Sequence, residues 1–290
     1  MRGALPARYP RGGRGAPVTA ARAVRDIAGA ARPVPLAEVV RRAELQHRYD
    51  HKYLLTPETF GRLVAALGAR PDVLRIGTRR QFDYHSWYFD TPDLRTFRQH
   101  RQGRRRRYKV RTRAYPDTGE CCFEIKLAER RGTTRKERIP HPIALADRIM
   151  PAGWRLLHGT LTEYGAAPCG GLAPVLCTSY RRTTLLLPDR PVRVTCDVGL
   201  VCHDGTRRVA GPDDLILVEV KSPGPYDPVT HRLAAAGIRP VRMSKYCLGV
   251  ALLRPGVPAN PWHRTLKRHF GWTPDSICRP SGRKNSAPAG

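Results

Sequence analysis

The stretch Lys109-Val110-Arg111-Thr112-Arg113 places a cation at every second position. Side chains alternate between the two faces of a β-strand, so these three cations share one face. The same alternation recurs in Glu124-Ile125-Lys126, in Arg193-Val194-Thr195-Cys196-Asp197 and in Glu219-Val220-Lys221. The pattern therefore predicts several strands, each with an ordered row of charged side chains on one face.

Each charged row also has an ordinary explanation. A basic strand face can be solvated, and an exposed ion pair such as Glu124 with Lys126 contributes little stability. Because the arrangement recurs in at least five strands, we favour one sheet that closes into a barrel with the charges inside. Its lumen would be a cationic tunnel, which suits a linear polyanion such as a triphosphate or polyphosphate.

Strands dominate the middle of the chain. Turn residues Pro116-Asp117-Thr118-Gly119 join two of them, and Thr56 and Pro57 form the N-cap and first position of a helix. Strands at hairpin spacing favour an antiparallel barrel in an α+β fold over a parallel sheet. The predicted strands are 44–55, 84–89, 106–115, 121–127, 178–187, 192–202 and 215–221. The predicted helices are 56–67, 143–157, 227–236 and 244–253.

Composition divides the chain of 290 residues into three parts. Residues 1–38 are rich in Arg, Gly, Ala and Pro without a period, which predicts a disordered basic arm or a mis-assigned start. Residues 39–255 form the predicted tunnel domain. Residues 256–290 form a Pro-rich basic tail, in which Trp262, Phe270 and Trp272 are candidate anchors to the domain. The Arg101–Arg107 run is interpreted as an exposed loop.

The net charge is +28, with 52 basic and 24 acidic residues. Such a balance alone favours non-specific binding to nucleic acid or to an anionic membrane. Only eight of the basic residues are lysines, and the excess of Arg with Ala, Gly and Pro is typical of GC-rich coding. The lysines are therefore the more informative cations, and Lys52, Lys126, Lys221 and Lys245 all fall within the segments of interest.

The eight cysteines lack metal-ligand spacing, which predicts reduced structural thiols in the cytoplasm. No secretory leader or apolar run of ~20 residues occurs, so any attachment to the inner face of the membrane would need a partner or charge. Glu219 lies in an apolar run and is predicted to be buried, and therefore paired or metal-bound. Ser244-Lys245-Tyr246 opens a helix after Arg242, and helix starts can hold phosphate.

The ordered series of segments resembles the VTC domain. This is the polyphosphate polymerase domain of the vacuolar transporter chaperone complex, found also in bacterial proteins, and it belongs to the CYTH, or triphosphate tunnel, superfamily. The resemblance spans about residues 42–254. The segments that carry it are Lys52-Tyr53, Tyr88-Phe89-Asp90-Thr91, 109–113, 123–126, Tyr180-Arg181-Arg182-Thr183, 193–197, 219–221 and 244–246.

The resemblance implies an eight-stranded antiparallel tunnel barrel with flanking helices. By motif match, the catalytic tunnel cations would be Lys52, Arg111, Arg113, Lys126, Arg182, Arg193 and Lys245. Further phosphate contacts would come from Arg242, Lys109 and Lys221. Glu219 would be the metal ligand, and its oxygen chemistry points to Mn²⁺ or Mg²⁺. Of the adjacent pair Arg181 and Arg182, only one can point inward, and Arg182 matches better.

One departure separates this chain from the CYTH phosphatases and cyclases, which carry Glu-x-Glu-x-Lys on the first strand. Here those positions are Arg48, Asp50 and Lys52. The change favours a polyphosphate polymerase that transfers the γ-phosphate of ATP to a growing chain. The alternatives are a metal-dependent tripolyphosphatase or nucleoside triphosphatase, and a non-catalytic binder of polyphosphate or nucleic acid. No specific nucleic acid is expected, a membrane-protein partner is possible, and the oligomeric state is left open.

Overall fold

A computed structural model describes residues 18–43, 49–129, 133–167, 170–254 and 256–273. Its strands are β1 (Pro33–Val34), β2 (Tyr49–Leu55), β3 (Asp72–Leu74), β4 (Phe82–Asp90), β5 (Tyr108–Tyr115), β6 (Glu120–Ala128), β7 (Thr134–Pro140), β8 (Ala173–Leu186), β9 (Arg193–His203), β10 (Arg208–Ala210) and β11 (Ile216–Ser222). Its α-helices are α1 (Ala20–Ala30), α2 (Leu36–Ala43), α3 (Pro57–Ala66), α4 (Arg95–Arg101), α5 (Pro151–Tyr164), α6 (Pro228–Ala235), α7 (Lys245–Leu253) and α8 (His263–Phe270).

Eight of these strands form one antiparallel path in the order β2-β11-β9-β8-β4-β5-β6-β7. The short strands β1, β3 and β10 add to its margins. The predicted α+β fold with an eight-stranded antiparallel sheet and flanking helices is confirmed. The sheet is curled but not closed: its end strands β2 and β7 are not paired with each other in the part of the chain that is described, so it forms a half-barrel.

Alternation along each strand separates an apolar outer face from a charged inner one. Val194 and Cys196 of β9 and Val218 and Val220 of β11 pack in one core with helices α1, α3 and α6. On β6, Phe123, Ile125 and Leu127 pack against α5 instead. The intervening residues of the same strands, the charged positions of the predicted rows, face the concave side. Burial of the outer face thus fixes the inward direction of the charges.

Helix α7 lies across the half-barrel at one end, and eight of its nine residues are buried. It packs on β8 and β9 and against α4. Gly249 permits this approach, because an added Cβ would lie 2.7 Å from a methyl group of Leu176. A side chain of ordinary size at this position would push α7, and the cations at its start, away from the sheet.

The disorder predicted for residues 1–38 is wrong for residues 20–34. Thr19 caps α1, and Ala20, Val24 and Ala28 are buried in the core with β9 and β11. Asp72 of β3 then accepts hydrogen bonds from Arg32 (2.8 Å) and Arg42 (2.6 Å), which ties the segment after α1 to the sheet. The small apolar residues at four-residue spacing are the helical signal that the Arg- and Gly-rich composition concealed. Residues 1–17 lie outside the described residues.

The structure refines three other expectations. In the predicted loose tail, Trp262, Phe270 and Trp272 pack against α7 as expected, and helix α8 lies between the two tryptophans; residues 274–290 lie outside the described residues. The expected loop over Arg101–Arg107 begins at the end of α4. The helix predicted at 143–157 is a short 3₁₀ turn (Ile143–Leu145) followed by α5, which starts at Pro151. None of the described helices is both long and apolar enough to cross a membrane.

Candidate active site in the concave lumen

The concave side of the half-barrel encloses a cavity of about 150 Å³ with a predominantly cationic wall. One carboxylate, that of Glu219, also lines it, together with hydroxyl-bearing side chains. From the described residues, nine cations contribute: Lys52, Lys109, Arg111, Arg113, Lys126, Lys136, Arg182, Lys221 and Lys245. We call this cavity the lumen. It brings together nine of the eleven predicted site residues.

Arg193 and Arg242 do not line the lumen. Arg193 is the direct cross-strand neighbour of Lys221, so it lies on the concave face beyond the cavity wall. Arg242 lines a neighbouring cavity instead. The basic residue that the sequence analysis did not select is Lys136 of β7, which pairs in register with Lys126. Its strand was not predicted, because the segment 134–140 carries no apolar residue before Ile139; its positions are half-buried or exposed, and none is fully buried.

Lysine is concentrated in the lumen. Seven lysines occur in the described residues, and six of them line this one cavity, the exception being Lys267 of α8. In a chain whose surface cations are overwhelmingly arginine, that clustering supports the argument that the lysine positions are the informative ones. It also gives the lumen both compact ammonium groups and planar guanidinium groups, which contact phosphate in different ways.

Two buried carboxylates behind the lumen wall orient its cations. Glu124 accepts hydrogen bonds from Arg111 (2.8 Å) and Lys136 (3.4 Å). Burial alone would raise the pKa of Glu124, but Arg111, Arg113 and Lys136 hold it well below its usual range. The ordinary explanation for Glu124 in the sequence is an ion pair with Lys126, whereas the β5–β6 register places Glu124 opposite Arg111.

Asp197 has the same function on the opposite wall. Its two oxygens accept hydrogen bonds from Nε (2.6 Å) and Nη2 (2.8 Å) of Arg182, and Lys245 of α7 also binds it. Burial would raise the pKa of Asp197, and the charges of Arg182 and Lys245 lower it. Such bidentate pairs fix a guanidinium in one orientation. Asp197 was noted in the sequence as sharing a face with Arg193, but its partners come from other elements.

Glu219 is the carboxylate inside the lumen. It lies 3.1 Å from Lys52 Nζ and 3.8 Å from Lys221 Nζ, and its strand register places Lys52 directly opposite. Burial would raise the pKa of Glu219, but the charges of Lys221, Lys52 and Lys126 hold it well below its ordinary value. The group is therefore ionised at neutral pH, surrounded by ammonium groups and facing the space that a polyanion would fill.

Two tyrosine rings contact the lumen cations and help to hold them in place. Tyr84 and Tyr180 stack with ring centroids 5.4 Å apart, and the Arg182 guanidinium lies 4.9 and 5.4 Å from the two rings. Lys245 Nζ lies 4.2 Å from the Tyr180 ring. These are cation–π distances. The Tyr180 hydroxyl is buried without a hydrogen-bond partner among the described residues, so it can donate to a phosphate oxygen.

Ser244, Lys245 and Tyr246 at the start of α7 make three different contacts. Ser244 caps α7 by accepting from the backbone N–H of Cys247 at 3.1 Å, and Lys245 enters the lumen. The Tyr246 hydroxyl donates to buried Asp90, which also accepts from the backbone of Phe97 in α4. Helix α7 is therefore anchored to Asp90 and, through it, to α4, and this fixes the position of Lys245.

Lys109 differs electrostatically from the other lumen cations. Burial and the charges of Lys126 and Lys52 lower the pKa of Lys109 to about 8. Its ammonium is therefore easily neutralised when the lumen is empty. A phosphate close to it would raise that pKa again, because a negative charge favours the protonated form.

The sequence profile of the VTC domain matches residues 47–254. The chain belongs to the VTC domain family. The match covers β2 through α7, which together supply every residue of the lumen wall. A search of curated proteins found no match.

Solved structures of low sequence identity are similar to this VTC domain. One is a candidate adenylate cyclase from Bacillus halodurans (17% identity, TM-score 0.44, covering 67% of this chain and 92% of that one). Another is a candidate adenylyl cyclase from Hippeastrum, described as having a dominant triphosphatase activity (14%, 0.45, 71% and 96%). A third is a Pyrococcus horikoshii protein (12%, 0.40, 70% and 97%). At these scores the likenesses carry no argument about activity.

This VTC domain has few side chains placed to hold a metal ion without help from a ligand. Within the described ranges, no group of three or more His, Cys, Asp or Glu side chains is arranged to hold an ion. Glu124 and Asp197 do not line the lumen, so Glu219, which is itself paired with Lys52, is the carboxylate among the described residues that faces it. One carboxylate fits an ion that arrives with phosphate, since Mg²⁺ is commonly bound by one or two carboxylates plus substrate phosphates.

Proposed function

We propose that this VTC domain is a polyphosphate polymerase, which transfers the γ-phosphate of ATP to the end of a growing inorganic polyphosphate chain. The observation that carries the proposal is the convergence of nine cations and one ionised carboxylate on a cavity of about 150 Å³. A wall of that composition is costly for any neutral ligand and favourable for a condensed phosphate chain.

The reaction asks for positioning and charge neutralisation more than for covalent chemistry. A terminal phosphate oxygen of the acceptor chain forms a bond to the γ-phosphorus. The bond between that phosphorus and the β–γ bridging oxygen breaks, and ADP leaves with the electron pair. The acceptor oxygen is already anionic at neutral pH, so the transfer needs no general base. This agrees with a lumen that no histidine from the described residues lines.

The lumen residues divide into two groups in this scheme. Arg111 and Arg182 are pre-oriented by Glu124 and Asp197, so they supply fixed forks for phosphate oxygens. The lysines supply compact point charges for the phosphate oxygens. Mn²⁺ or Mg²⁺, held by Glu219 and by phosphate oxygens, would further neutralise charge on the transferred group.

The proposal takes ATP and inorganic polyphosphate as ligands and places the protein in the cytoplasm, where a membrane protein at the inner face would be its partner. The alternative within the same fold is hydrolysis of triphosphate, with water as acceptor. A second alternative, which is not enzymatic, is binding of polyphosphate or nucleic acid without turnover. The same lumen would serve all three, and they differ in their products.

Product analysis tests the proposal directly. The full chain is incubated with ATP and Mn²⁺, and phosphate products are separated by length on a gel while ADP and orthophosphate are measured. We expect long chains, with one ADP formed for each phosphate incorporated. Orthophosphate as the main product would identify a triphosphatase. Binding of ATP without ADP formation would identify a non-catalytic binder, and either result would overturn the polymerase proposal.

A further inference from the structure

A second cavity of about 380 Å³ adjoins the lumen and shares Lys52, Lys109 and Ser244 with it. We call it the antechamber. Strand β2, the α4–β5 connection, the segment before α7 and the 3₁₀ turn Asn260–Trp262 form its walls. It lies within the range of about 300–1,000 Å³ that is usual for small-molecule sites. Two of its wall residues, Pro261 and Trp262, lie beyond residue 254, where the family match ends.

The two cavities have walls of different chemistry. The lumen is lined by charged and hydroxyl-bearing side chains. The antechamber carries six apolar residues besides its four cations: Pro240, Val241, Met243, Cys247, Pro261 and Trp262. It also contains the carboxylate of Asp50, which would repel a phosphate chain. A bare phosphate chain could use only the cations of this wall, whereas a ligand with an uncharged, aromatic part could also use its apolar side chains.

We infer that the antechamber binds the nucleoside part of a nucleoside triphosphate whose phosphates extend into the lumen. Apolar side chains around Trp262 would cover the base, and polar groups at the rim would meet the sugar. Among these, His100 donates from Nδ1 to the Thr96 carbonyl (3.0 Å), which leaves Nε2 of the neutral ring as an acceptor. Lys52 and Lys109 at the junction would contact the first phosphate. The inference rests on the proposed function only in taking such a nucleotide as donor.

The test compares ATP with inorganic tripolyphosphate, which has the same phosphate chain and no nucleoside. Val241 is half-buried in the antechamber wall, and its backbone N–H donates to the Lys52 carbonyl, a bond that a side-chain change retains. Val241→Trp fills the antechamber without changing charge. We expect it to raise the Kd for ATP at least about tenfold and to leave the Kd for tripolyphosphate within about twofold. Calorimetric titration of the full chain measures both.

The matched control is Val40→Trp, on the exposed face of α2, where the same substitution meets solvent. It should change neither Kd. If Val241→Trp weakened ATP and tripolyphosphate equally, the antechamber would belong to the phosphate path and the inference would be overturned. If it weakened neither, the nucleoside would bind elsewhere and the inference would again be overturned.

Trp262 gives a second readout that does not depend on a filled cavity. In the unmodified protein, ATP should change the tryptophan fluorescence more than tripolyphosphate does, and Trp262→Phe should remove that difference. Equal fluorescence changes for the two ligands would contradict the inference. Both measurements are of binding, so they separate this inference from the polymerase proposal. If the unmodified protein made no polyphosphate but Val241→Trp weakened ATP binding selectively, only the polymerase proposal would be disproved.

Discussion

Among the lumen arginines, Arg113 gives the most direct test of phosphate contact when it is replaced by alanine. Its Nε donates a hydrogen bond to Ser86 Oγ at 3.2 Å, and no carboxylate of the described residues forms an ion pair with it, so Arg113→Ala leaves no buried acid without a partner. Arg111→Ala, in contrast, leaves Glu124 with Lys136 alone. We expect Arg113→Ala to cut turnover with ATP at least about tenfold, since a charge-assisted phosphate contact contributes about 1.5–3 kcal/mol.

The control for this variant is Arg104→Ala, because Arg104 is exposed in the connection after α4. It should change turnover by less than about twofold, as is usual for surface charges. Steady-state rates for the two variants and for Arg111→Ala make the comparison. Equal losses at all three positions would mean that the charge acts in bulk, and the lumen would not be the site.

Glu219 tests the role of the lumen carboxylate. Glu219→Gln retains an oxygen near Lys52 and removes the negative charge. We expect activity to fall at least about tenfold while the melting temperature changes little, because an electrostatic ligand is lost and packing is kept. Added Mn²⁺ should rescue the variant poorly. A large loss of stability with normal Mn²⁺ dependence would show that Glu219 is only a structural partner of the lumen cations.

Lys109 predicts how anion binding depends on pH. Its pKa is about 8 in the empty lumen, and a bound phosphate raises it, so binding takes up a proton above pH 8. Affinity for tripolyphosphate should therefore be constant below about pH 8 and fall as the pH rises above it. Lys109→Arg should flatten this dependence, since arginine stays protonated. A profile identical in both proteins would assign the pH dependence to another group.

At the scale of single residues, the sequence located the lumen cations but not their partners. Period-two alternation is a local property, so Lys109, Arg111 and Arg113 could be placed on one face from the sequence. The Arg111–Glu124 and Arg182–Asp197 pairs depend on strand register and on the sheet's curvature, which local patterns do not encode. The sequence gives no site role to Tyr84 and Tyr180, because their stacking beside the cations also depends on strand register and curvature.

At the scale of elements, α1 shows how composition can mislead. Its Arg- and Gly-rich surroundings predict disorder, yet Val24 is buried against the core that β9 and β11 share. The hairpin strands β5 and β6 were predicted correctly, because a turn motif and alternation occur together there. Strand β7 was missed since its alternation carries no apolar residue before Ile139.

The importance of α1 can be measured by one substitution. Val24→Asp places an unpaired carboxylate in the core and should lower the free energy of unfolding by about 3 kcal/mol or more. Arg25→Asp, on the exposed side of the same helix, should change it by about 0.5 kcal/mol or less. Denaturant titration of both variants gives the values. Equal, small effects would mean that α1 is dispensable and the predicted arm boundary is correct.

At the scale of the whole molecule, the net charge of +28 separates into an inner and an outer part. Six lysines and three arginines in the described residues line the lumen, while most other arginines face solvent. Outer charges bind any polyanion weakly and are screened by salt, whereas charges in an enclosed cavity are screened less.

Salt titration should reveal this division. Between 50 and 200 mM salt, affinity for duplex DNA should fall about 10³-fold or more if several phosphates contact the surface. Affinity for tripolyphosphate should fall about tenfold or less, because its contacts are enclosed. Filter binding for DNA and calorimetry for tripolyphosphate provide the two slopes. Parallel slopes would show that both ligands use the outer surface.

The clustering of lysine has a practical consequence for following occupancy of the lumen. Reagents that acylate primary amines ignore guanidinium groups, so in this arginine-rich chain most of their targets among the described residues lie in one cavity. Lys109, partly neutral near pH 8, should be the most nucleophilic of them. Peptide mass spectrometry after brief acylation would therefore show which lumen lysines a bound phosphate chain protects. Lys267 would be the internal reference, because it lies outside the lumen and should stay unprotected.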